Sequence, residues 1–197
     1  MKKNFLYIVA ALLICGGLLC GCGKTAQVES SSLPASSQVS SQEEETVQTY
    51  QLYDKLEYQI PSTWMQNTTG FNGEIEGDLA SDSFSRMTGN SSDGFKTAAS
   101  VSFWFHQEDD PNFLPFHLDF AVEEFEYERY PNTTIGGKPV SHLMKEQISG
   151  EKLHEYVLDF GEGVYCTISI SLQPAYDPTG EVAKEIEMIL DKIKVIG

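Results

Sequence analysis

The chain has 197 residues and a formal net charge of −16 at pH 7, from 13 basic and 29 acidic side chains. This excess of negative charge argues against nucleic acid as a partner, because the phosphates would repel it. Acidic side chains in such numbers usually face solvent, and this is the interpretation we favour. The more specific alternative is that they bind a basic partner or Ca²⁺.

The first predicted element is an N-terminal signal. Two lysines precede an apolar run from Phe5 to Leu19. At about 15 residues, this run is shorter than the ~20 needed to span a bilayer. It ends in Leu19-Cys20-Gly21-Cys22, which resembles the lipobox of bacterial lipoproteins. The resemblance implies a signal peptide over residues 1–21 and a diacylglycerol on Cys22.

Lipidation would place the protein on the outer face of the cytoplasmic membrane, with the membrane as a partner through the lipid on Cys22. Cleavage would remove two lysines and no acidic residue, which changes the formal charge from −16 to −18. The alternative is an uncleaved anchor from Phe5 to Cys22.

The four cysteines do not predict a disulfide framework. Cys15 and Cys20 would leave with the signal and Cys22 would be alkylated. Cys166 would then be alone, so the stability of the domain must come from a packed core.

A tether is predicted from residue 22 to residue 48. It is rich in Ser and Glu and nearly free of large apolar side chains, so it cannot offset the entropy of ordering and is expected to be disordered. Residues 49–197 are expected to form a single globular domain, because about 150 residues bury a substantial core.

The first half of the domain predicts strands separated by polar loops. Leu56 to Ile60 predicts a short strand. Residues 66–96 are rich in Gly, Asn, Ser and Asp, which predicts weak strands, around Gly73 to Leu79, and an exposed loop from Gly89 to Gly94. Thr97 to His106 alternates between apolar and polar residues and predicts a clear strand.

The middle of the domain predicts a helix and then further strands. Residues 115–130 have helical spacing and favour a helix that ends before the next proline, although Glu124 to Tyr130 also alternates like a strand. A strand is expected from Val140 to Glu146 and a hairpin from Lys152 to Leu172, with Gly161-Glu162-Gly163 as its turn.

The last predicted element is a helix. Asp177 is the expected N-cap and Pro178 the first helical residue. The residues expected to form its buried stripe are Val182, Ile186, Ile189, Leu190 and Ile193.

Two short motifs stand out in the domain, Tyr58-Gln59-Ile60-Pro61-Ser62-Thr63-Trp64 and Ile135-Gly136-Gly137-Lys138-Pro139. Together with an aromatic strand, a mid-chain helix, a long hairpin and a closing helix, they resemble the PsbP-like superfamily over most of residues 50–197. The resemblance implies an α+β fold, in which a central antiparallel β-sheet is flanked by helices on both faces as an α/β/α sandwich.

The resemblance also bears on function. Members of the superfamily share no catalytic residues, so none is carried over to this chain. The better-known members bind other macromolecules, which implies a protein partner rather than a substrate.

Residue spacing predicts no catalytic, cofactor or metal site. The four histidines, at positions 106, 117, 142 and 154, are scattered and form no His-Glu-x-x-His motif. Glu108-Asp109-Asp110 lacks the spacing and glycine of a calcium-binding loop, so a solvated turn is the favoured interpretation.

Cys166 is predicted to be structural. Val164 and Ile168 lie on its face of the predicted strand, which favours a small buried hydrophobe over a nucleophile that pairs with His142 or His154.

The aromatic residues are the remaining candidates for a site. Trp104, Phe113, Phe116 and Phe120 are close in sequence and could line a pocket or an interface. Core packing beneath the first helix is the favoured interpretation.

These observations predict a surface-tethered, non-catalytic binding or assembly module for an extracytoplasmic membrane complex, with a protein partner that the sequence does not identify. The alternative is a solute- or ion-binding lipoprotein associated with a transporter. An enzyme is the least favoured of the three classes, and no ligand-binding residue is predicted.

Replacement of the lipidated residue tests the anchor. Cys22→Ser should release the protein from membranes and should lower its mass by that of the lost lipid, because the acyl chains supply the membrane affinity. Membrane fractionation and mass spectrometry measure both changes. Retention of the variant in the membrane would show that Phe5 to Cys22 is an uncleaved anchor.

Overall fold

The computed structural model describes residues 46–67, 77–90, 92 and 94–196. The predicted signal at 1–21, the lipidation site Cys22 and the tether up to residue 45 lie outside these ranges. Val47 and Gln48, which the sequence analysis assigned to the tether, are the first residues of a strand. No helix in the described part of the chain is long and apolar enough to cross a membrane.

Ten strands and two α-helices are present in the described ranges. In chain order they are β1 Val47–Leu52, β2 Leu56–Pro61, β3 Trp64–Gln66, β4 Asp78–Asn90, β5 Gly94–Gln107, α1 Phe113–Phe125, β6 Glu128–Ile135, β7 Lys138–Glu146, β8 Lys152–Gly161, β9 Val164–Leu172, α2 Glu181–Asp191 and β10 Lys194–Val195.

The strands form two antiparallel sheets. The small sheet has the order β1-β2-β10, and the large sheet has the order β3-β4-β5-β9-β8-β7-β6. Strands β5 and β9 lie in the centre of the large sheet and pair from Ala99–Leu172 to Gln107–Val164. Their alternating side chains therefore point to two different faces.

The inner face of the large sheet, which faces the small sheet and α2, carries the main core. Phe103 and Ile168 are register partners there, and neither is exposed to solvent. Tyr58 of β2 stacks on Phe103 with ring centroids 4.0 Å apart. Helix α2 adds its buried stripe to the same cluster with Val182, Ile186, Ile189 and Ile193, whereas Leu190 is only partly buried.

Helix α1 lies on the opposite, outer face of the large sheet. Residues on that face include Trp104, His106 and Tyr165, which alternate with the core residues of β5 and β9. Phe113 of α1 packs its ring against His106 and Tyr165, at centroid distances of 5.2 and 5.0 Å. Helices therefore cover both faces, and the α+β class with a sheet between helices is confirmed.

A buried carboxylate joins α2 to the edge of the large sheet. Glu185, which is 6% exposed, accepts hydrogen bonds from Trp64 Nε1 at 2.8 Å and Arg86 Nε at 2.9 Å. Thr63 Oγ1 and Arg86 Nη2 also lie within hydrogen-bond distance of Glu185 Oε1, at 3.3 and 3.4 Å. Charge pairing and several donors together allow an acidic side chain to be buried in the apolar stripe of a helix.

The structure corrects the sequence prediction for residues 78–94. β4 is a strand of 13 residues, where the sequence predicted weak strands. Of the exposed loop predicted from Gly89 to Gly94, the ends belong to β4 and β5, and Ser92 lies in an exposed turn. Residues 68–76, which include most of the predicted Gly73–Leu79 strand, lie outside the described ranges. Ser83 and Ser85 of β4 lie opposite Ser102 and Ser100 of β5 on the outer face.

The helix predicted over residues 115–130 is wrong at its C-terminal end. α1 ends at Phe125, and residues from Glu128 onward belong to β6. Glu126 adopts a left-handed backbone with a φ of 60°, which ends the helix. Lys145 Nζ donates to the carbonyl of Phe125 at 2.8 Å and satisfies one of the last helical acceptors.

The predicted start of the last helix is also wrong. α2 begins at Glu181 with Gly180 as its N-cap, and Pro174–Tyr176 form a short 3₁₀ turn before it. Asp177 still caps the helix from a distance, because its carboxylate accepts from the backbone N–H groups of Val182 and Ala183 at 3.2 and 3.0 Å.

Strand β6 forms one edge of the large sheet. Its pairing with β7 is interrupted by a register shift between Tyr130 and Thr133. Pro131 lies within this shift and has no N–H to donate. This edge therefore offers an irregular row of hydrogen-bonding groups.

The Glu185 contacts predict a specific order of stabilities. Arg86→Met should lower the free energy of unfolding by about 2–4 kcal/mol, because it leaves a buried carboxylate without its cation. Arg86→Met combined with Glu185→Gln should be more stable than Arg86→Met alone, because the uncompensated charge is removed while an acceptor for Trp64 remains. Urea denaturation measures each difference.

Lys194→Met provides the matched control, because the Lys194 side chain, which pairs with Glu57, is 63% exposed and the pair should contribute far less. The single variant Glu185→Gln is measured as well. If the loss of stability in the Arg86→Met, Glu185→Gln double variant equals the sum of the losses in the two single variants, Arg86 and Glu185 act independently and the predicted coupling is wrong.

Candidate binding surface around the first helix

The four aromatic residues singled out in the sequence divide into two groups. Trp104 and Phe113 belong to a half-buried cluster beneath α1, where Trp104 stacks on His106 at 4.3 Å. Trp104 Nε1 donates to Asp78 Oδ1 at 2.8 Å. For these two residues the favoured interpretation, packing beneath the helix, agrees with the structure.

Phe116 and Phe120 instead belong to a second group on α1, in which Phe116 is exposed and Phe120 is half-buried. Phe116 is 50% exposed and stacks on Phe120, with ring centroids 5.9 Å apart. Phe120 contacts the edge of Phe125, which is 37% exposed, at 5.4 Å. Val122 is also 37% exposed. We call the rings of Phe116, Phe120 and Phe125 the aromatic strip.

Carboxylates surround the aromatic strip. Asp119, Glu123, Glu124 and Glu126 are all exposed residues on or just after α1. Arg129 pairs with Asp119, and Lys145 lies 3.6 Å from Glu126. The four carboxylates outnumber these two cations. The apolar strip is therefore bordered by a rim with a net negative charge.

His106 is the most buried titratable group beneath α1. Its side chain is 2% exposed. Thr167 Oγ1 lies 3.4 Å from Nε2, whereas Nδ1 has no hydrogen-bond partner among the described residues. Burial, with a smaller effect of His117, lowers the pKa of His106 to about 4, so the ring is neutral at pH 7.

His117 lies between α1 and the sheet. Its Nε2 is 2.5 Å from Glu155 Oε1, and its ring stacks on Phe113 at 5.5 Å. These contacts fix the face of α1 that packs on the sheet and so determine which side of the helix carries the aromatic strip.

An acidic cleft of about 230 Å³ lies beside the start of α1. Glu108, Asp109, Asp110 and Glu162 contribute to its lining. Burial, followed by the charge of Asp109, raises the pKa of Glu108. A side chain on Gly163 would bring its Cβ within 2.3 Å of the carbonyl oxygen of Glu108, so the close approach of these two backbones requires glycine.

Glu108, Asp109 and Asp110 were considered above as possible calcium ligands. Within the described residues, no group of three or more His, Cys, Asp and Glu side chains is placed to hold a metal ion. The cleft is also smaller than the ~300 Å³ at which small-molecule pockets usually begin.

Cys166 is fully buried on the inner face, as predicted. Burial raises the pKa of its thiol, which keeps the thiol protonated and unreactive. The register places His154 opposite Ile170, four residues along β9 from Cys166. The nucleophile pair that the sequence analysis considered is therefore not formed.

Two of the four apparently scattered histidines lie together. His142 Nε2 and His154 Nδ1 are 3.0 Å apart, across neighbouring strands β7 and β8. Burial is the main cause that lowers the pKa of both, to about 4 for His142. The spacing of the histidines along the chain does not reveal this pair, which forms because the strands predicted at 140–146 and 152–160 lie side by side.

The buried histidine predicts how stability depends on pH. The pKa of His106 is lowered on folding from 6.5 to about 4, so the unfolded state binds more protons and stability is lost as pH falls through this window. Between pH 7 and pH 4.5 the loss from His106 should be about 2–3 kcal/mol.

His106→Phe should reduce the pH dependence by that amount. Urea denaturation of both proteins at several pH values isolates the difference, since the carboxylates and His142 titrate in both. Equal pH dependence of the two proteins would contradict the neutral, buried state of His106.

Comparisons with known proteins give matches at the level of structure alone. No protein-family model matches the chain, and no curated protein matches its sequence. A cyanobacterial PsbP (CyanoP) from Synechocystis matches with 11% identity and a TM-score of 0.49, over 81% of this chain and 98% of that protein.

Two further structures are similar. LpqN of Mycobacterium tuberculosis, described as involved in cell envelope biogenesis, has 10% identity and a TM-score of 0.47, over 72% of this chain and 83% of that protein. A Bacteroides thetaiotaomicron protein has 14% identity and a TM-score of 0.43, over 72% of this chain and 45% of that protein. This chain thus spans less than half of the Bacteroides protein. At these values the likeness is one of fold, and it assigns no activity, ligand or partner to this chain.

Proposed function

We propose that the protein is a lipid-anchored, extracytoplasmic, non-catalytic binding or assembly module, and that α1 docks a basic and apolar segment of a protein in a membrane complex. The observation that carries this proposal is the aromatic strip within its acidic rim. The lipobox-like Leu19-Cys20-Gly21-Cys22 supports the address.

The strip has the chemistry of a protein-binding surface. Exposed aromatic rings that contact one another offer a large apolar area at a small cost in side-chain entropy, and such rings are enriched among the residues that dominate binding energy. Phe116 alone is 50% exposed. Helix α1 is therefore more apolar on its outward side than a helix that simply faces water.

Charge complementarity selects the kind of partner. The acidic rim and a net charge of −16 attract lysine and arginine. The same charges repel anionic lipid headgroups, so we assign the surface to a protein rather than to the bilayer. The acidic cleft beside α1 would add to this attraction.

A carbodiimide crosslinker, which joins carboxylates to lysines, tests the proposal directly. The full-length protein would be crosslinked in its native membranes and the adducts identified by mass spectrometry. Phe116→Ser with Phe125→Ser should lower the yield of the specific adduct at least about tenfold, because two exposed anchors are removed. Because Phe116 and Phe125 are 50% and 37% exposed and both contact Phe120, the melting temperature of the double variant is measured as well, and the adduct is compared at a temperature at which both proteins are folded.

Phe95→Ser is the matched control, because Phe95 is 64% exposed at the start of β5 and is not part of α1. It should leave the adduct unchanged. The proposal would be wrong if the double variant kept the same adduct, or if the only adduct were a second copy of this chain.

A further inference from the structure

The pair formed by His142 and His154 lies away from the aromatic strip, on the inner face of the large sheet. His142 is two residues from Val140, a core residue, and lies opposite Tyr156. His154 lies opposite Ile170 of β9, which is also a core residue. Both histidines are only half-buried, so this corner of the inner face is accessible to solvent.

The two rings are held in position by stacking. His142 stacks on Tyr156 with centroids 4.2 Å apart and an interplanar angle of 18°. Tyr130 lies on β6, the other neighbour of β7, and its ring centroid is 5.2 Å from that of His142. These contacts orient the imidazoles without using their nitrogen atoms.

The nitrogen atoms face each other at a distance that a metal ion can bridge. His142 Nε2 and His154 Nδ1 are 3.0 Å apart, and one of them must carry the proton that joins them. A neutral imidazole can carry its proton on either nitrogen, so a change of tautomer would present two lone pairs to the same point. If each metal–nitrogen bond is about 2.0–2.1 Å long and the nitrogen–metal–nitrogen angle is tetrahedral, the two nitrogens must be roughly 3.3 Å apart. A small rotation of either ring provides this distance.

Met144 is the candidate for a third donor, with a thioether sulfur instead of a nitrogen. It is the register partner of His154 and lies two residues after His142 on β7. All three side chains therefore leave the same face of the sheet, and directly opposed Cβ atoms lie about 4.5–5.5 Å apart. Met144 is half-buried, like the histidines. No group of three His, Cys, Asp and Glu side chains is placed for a metal in the described residues, so a third protein donor beside this pair would have to be the thioether of Met144.

We infer that His142, His154 and Met144 form a binding site for a copper(I) ion. Two imidazoles and a thioether are a soft donor set, which selects copper(I) over harder cations such as Ca²⁺ or Mg²⁺. The stacked ring of Tyr156 and the tilted ring of Tyr130 restrict the orientation of His142, as outer-shell groups do in metal sites. This site is independent of the partner surface on α1, because it lies on the other face of the sheet.

Competition between the protein and a chromophoric copper(I) chelator tests the site. The full-length chain would be purified in detergent, and its accessible thiols alkylated so that they do not bind copper, before titration in the presence of ascorbate. The wild type should bind one equivalent of copper(I). His154→Gln should weaken binding at least about 100-fold, and Met144→Leu at least about tenfold.

Two comparisons separate this site from a structural histidine pair. His117→Gln, on the outer face, should bind copper(I) as the wild type does, and circular dichroism should show that each variant is folded. Failure of the wild type to bind copper(I), or binding unchanged by both His154→Gln and Met144→Leu, would overturn the assignment. Zinc(II) binding tighter than copper(I), and indifferent to Met144→Leu, would overturn it as well.

Discussion

Glu185 is the point at which distant parts of the chain must meet. Its carboxylate lies within the apolar stripe of α2 and is bonded by Trp64 of β3 and Arg86 of β4. A charge in such a position is tolerated only while its partners stay in place. Because β3 follows β2 after a turn of two residues, fixing Trp64 also fixes where the small sheet separates from the large one. The closure of the inner face depends on this arrangement.

The elements that were predicted from the sequence are those in which apolar residues repeat with a single period, that of a strand or that of a helix, over many residues. Strand β5 alternates strictly, and α2 repeats its apolar residues at helical spacing. Strand β4 does not, because Phe84 is its one fully buried large side chain and its outward serines resemble a loop in composition. The boundary between α1 and β6 depends on the left-handed backbone of Glu126, which composition does not reveal.

The candidate sites were only partly predictable for a related reason. Aromatic residues in one stretch of sequence were recognised as candidates, but whether a ring is buried depends on which side of α1 meets the sheet. Phe113 packs beneath the helix, and Phe116, three residues later, is 50% exposed. His142 and His154 form a pair only through the register of β7 with β8. A search for helical or loop spacing does not detect a pair that a sheet creates.

The irregular edge at β6 has a particular consequence under the proposed lipid anchor on Cys22. Molecules confined to a plane meet far more often than the same molecules in solution, and a long regular edge strand would add to a neighbour's sheet at each encounter. Pro131 and the register shift between Tyr130 and Thr133 remove the continuous ladder that such addition needs. Copies held in one plane by such an anchor would therefore be less prone to join their sheets at this edge.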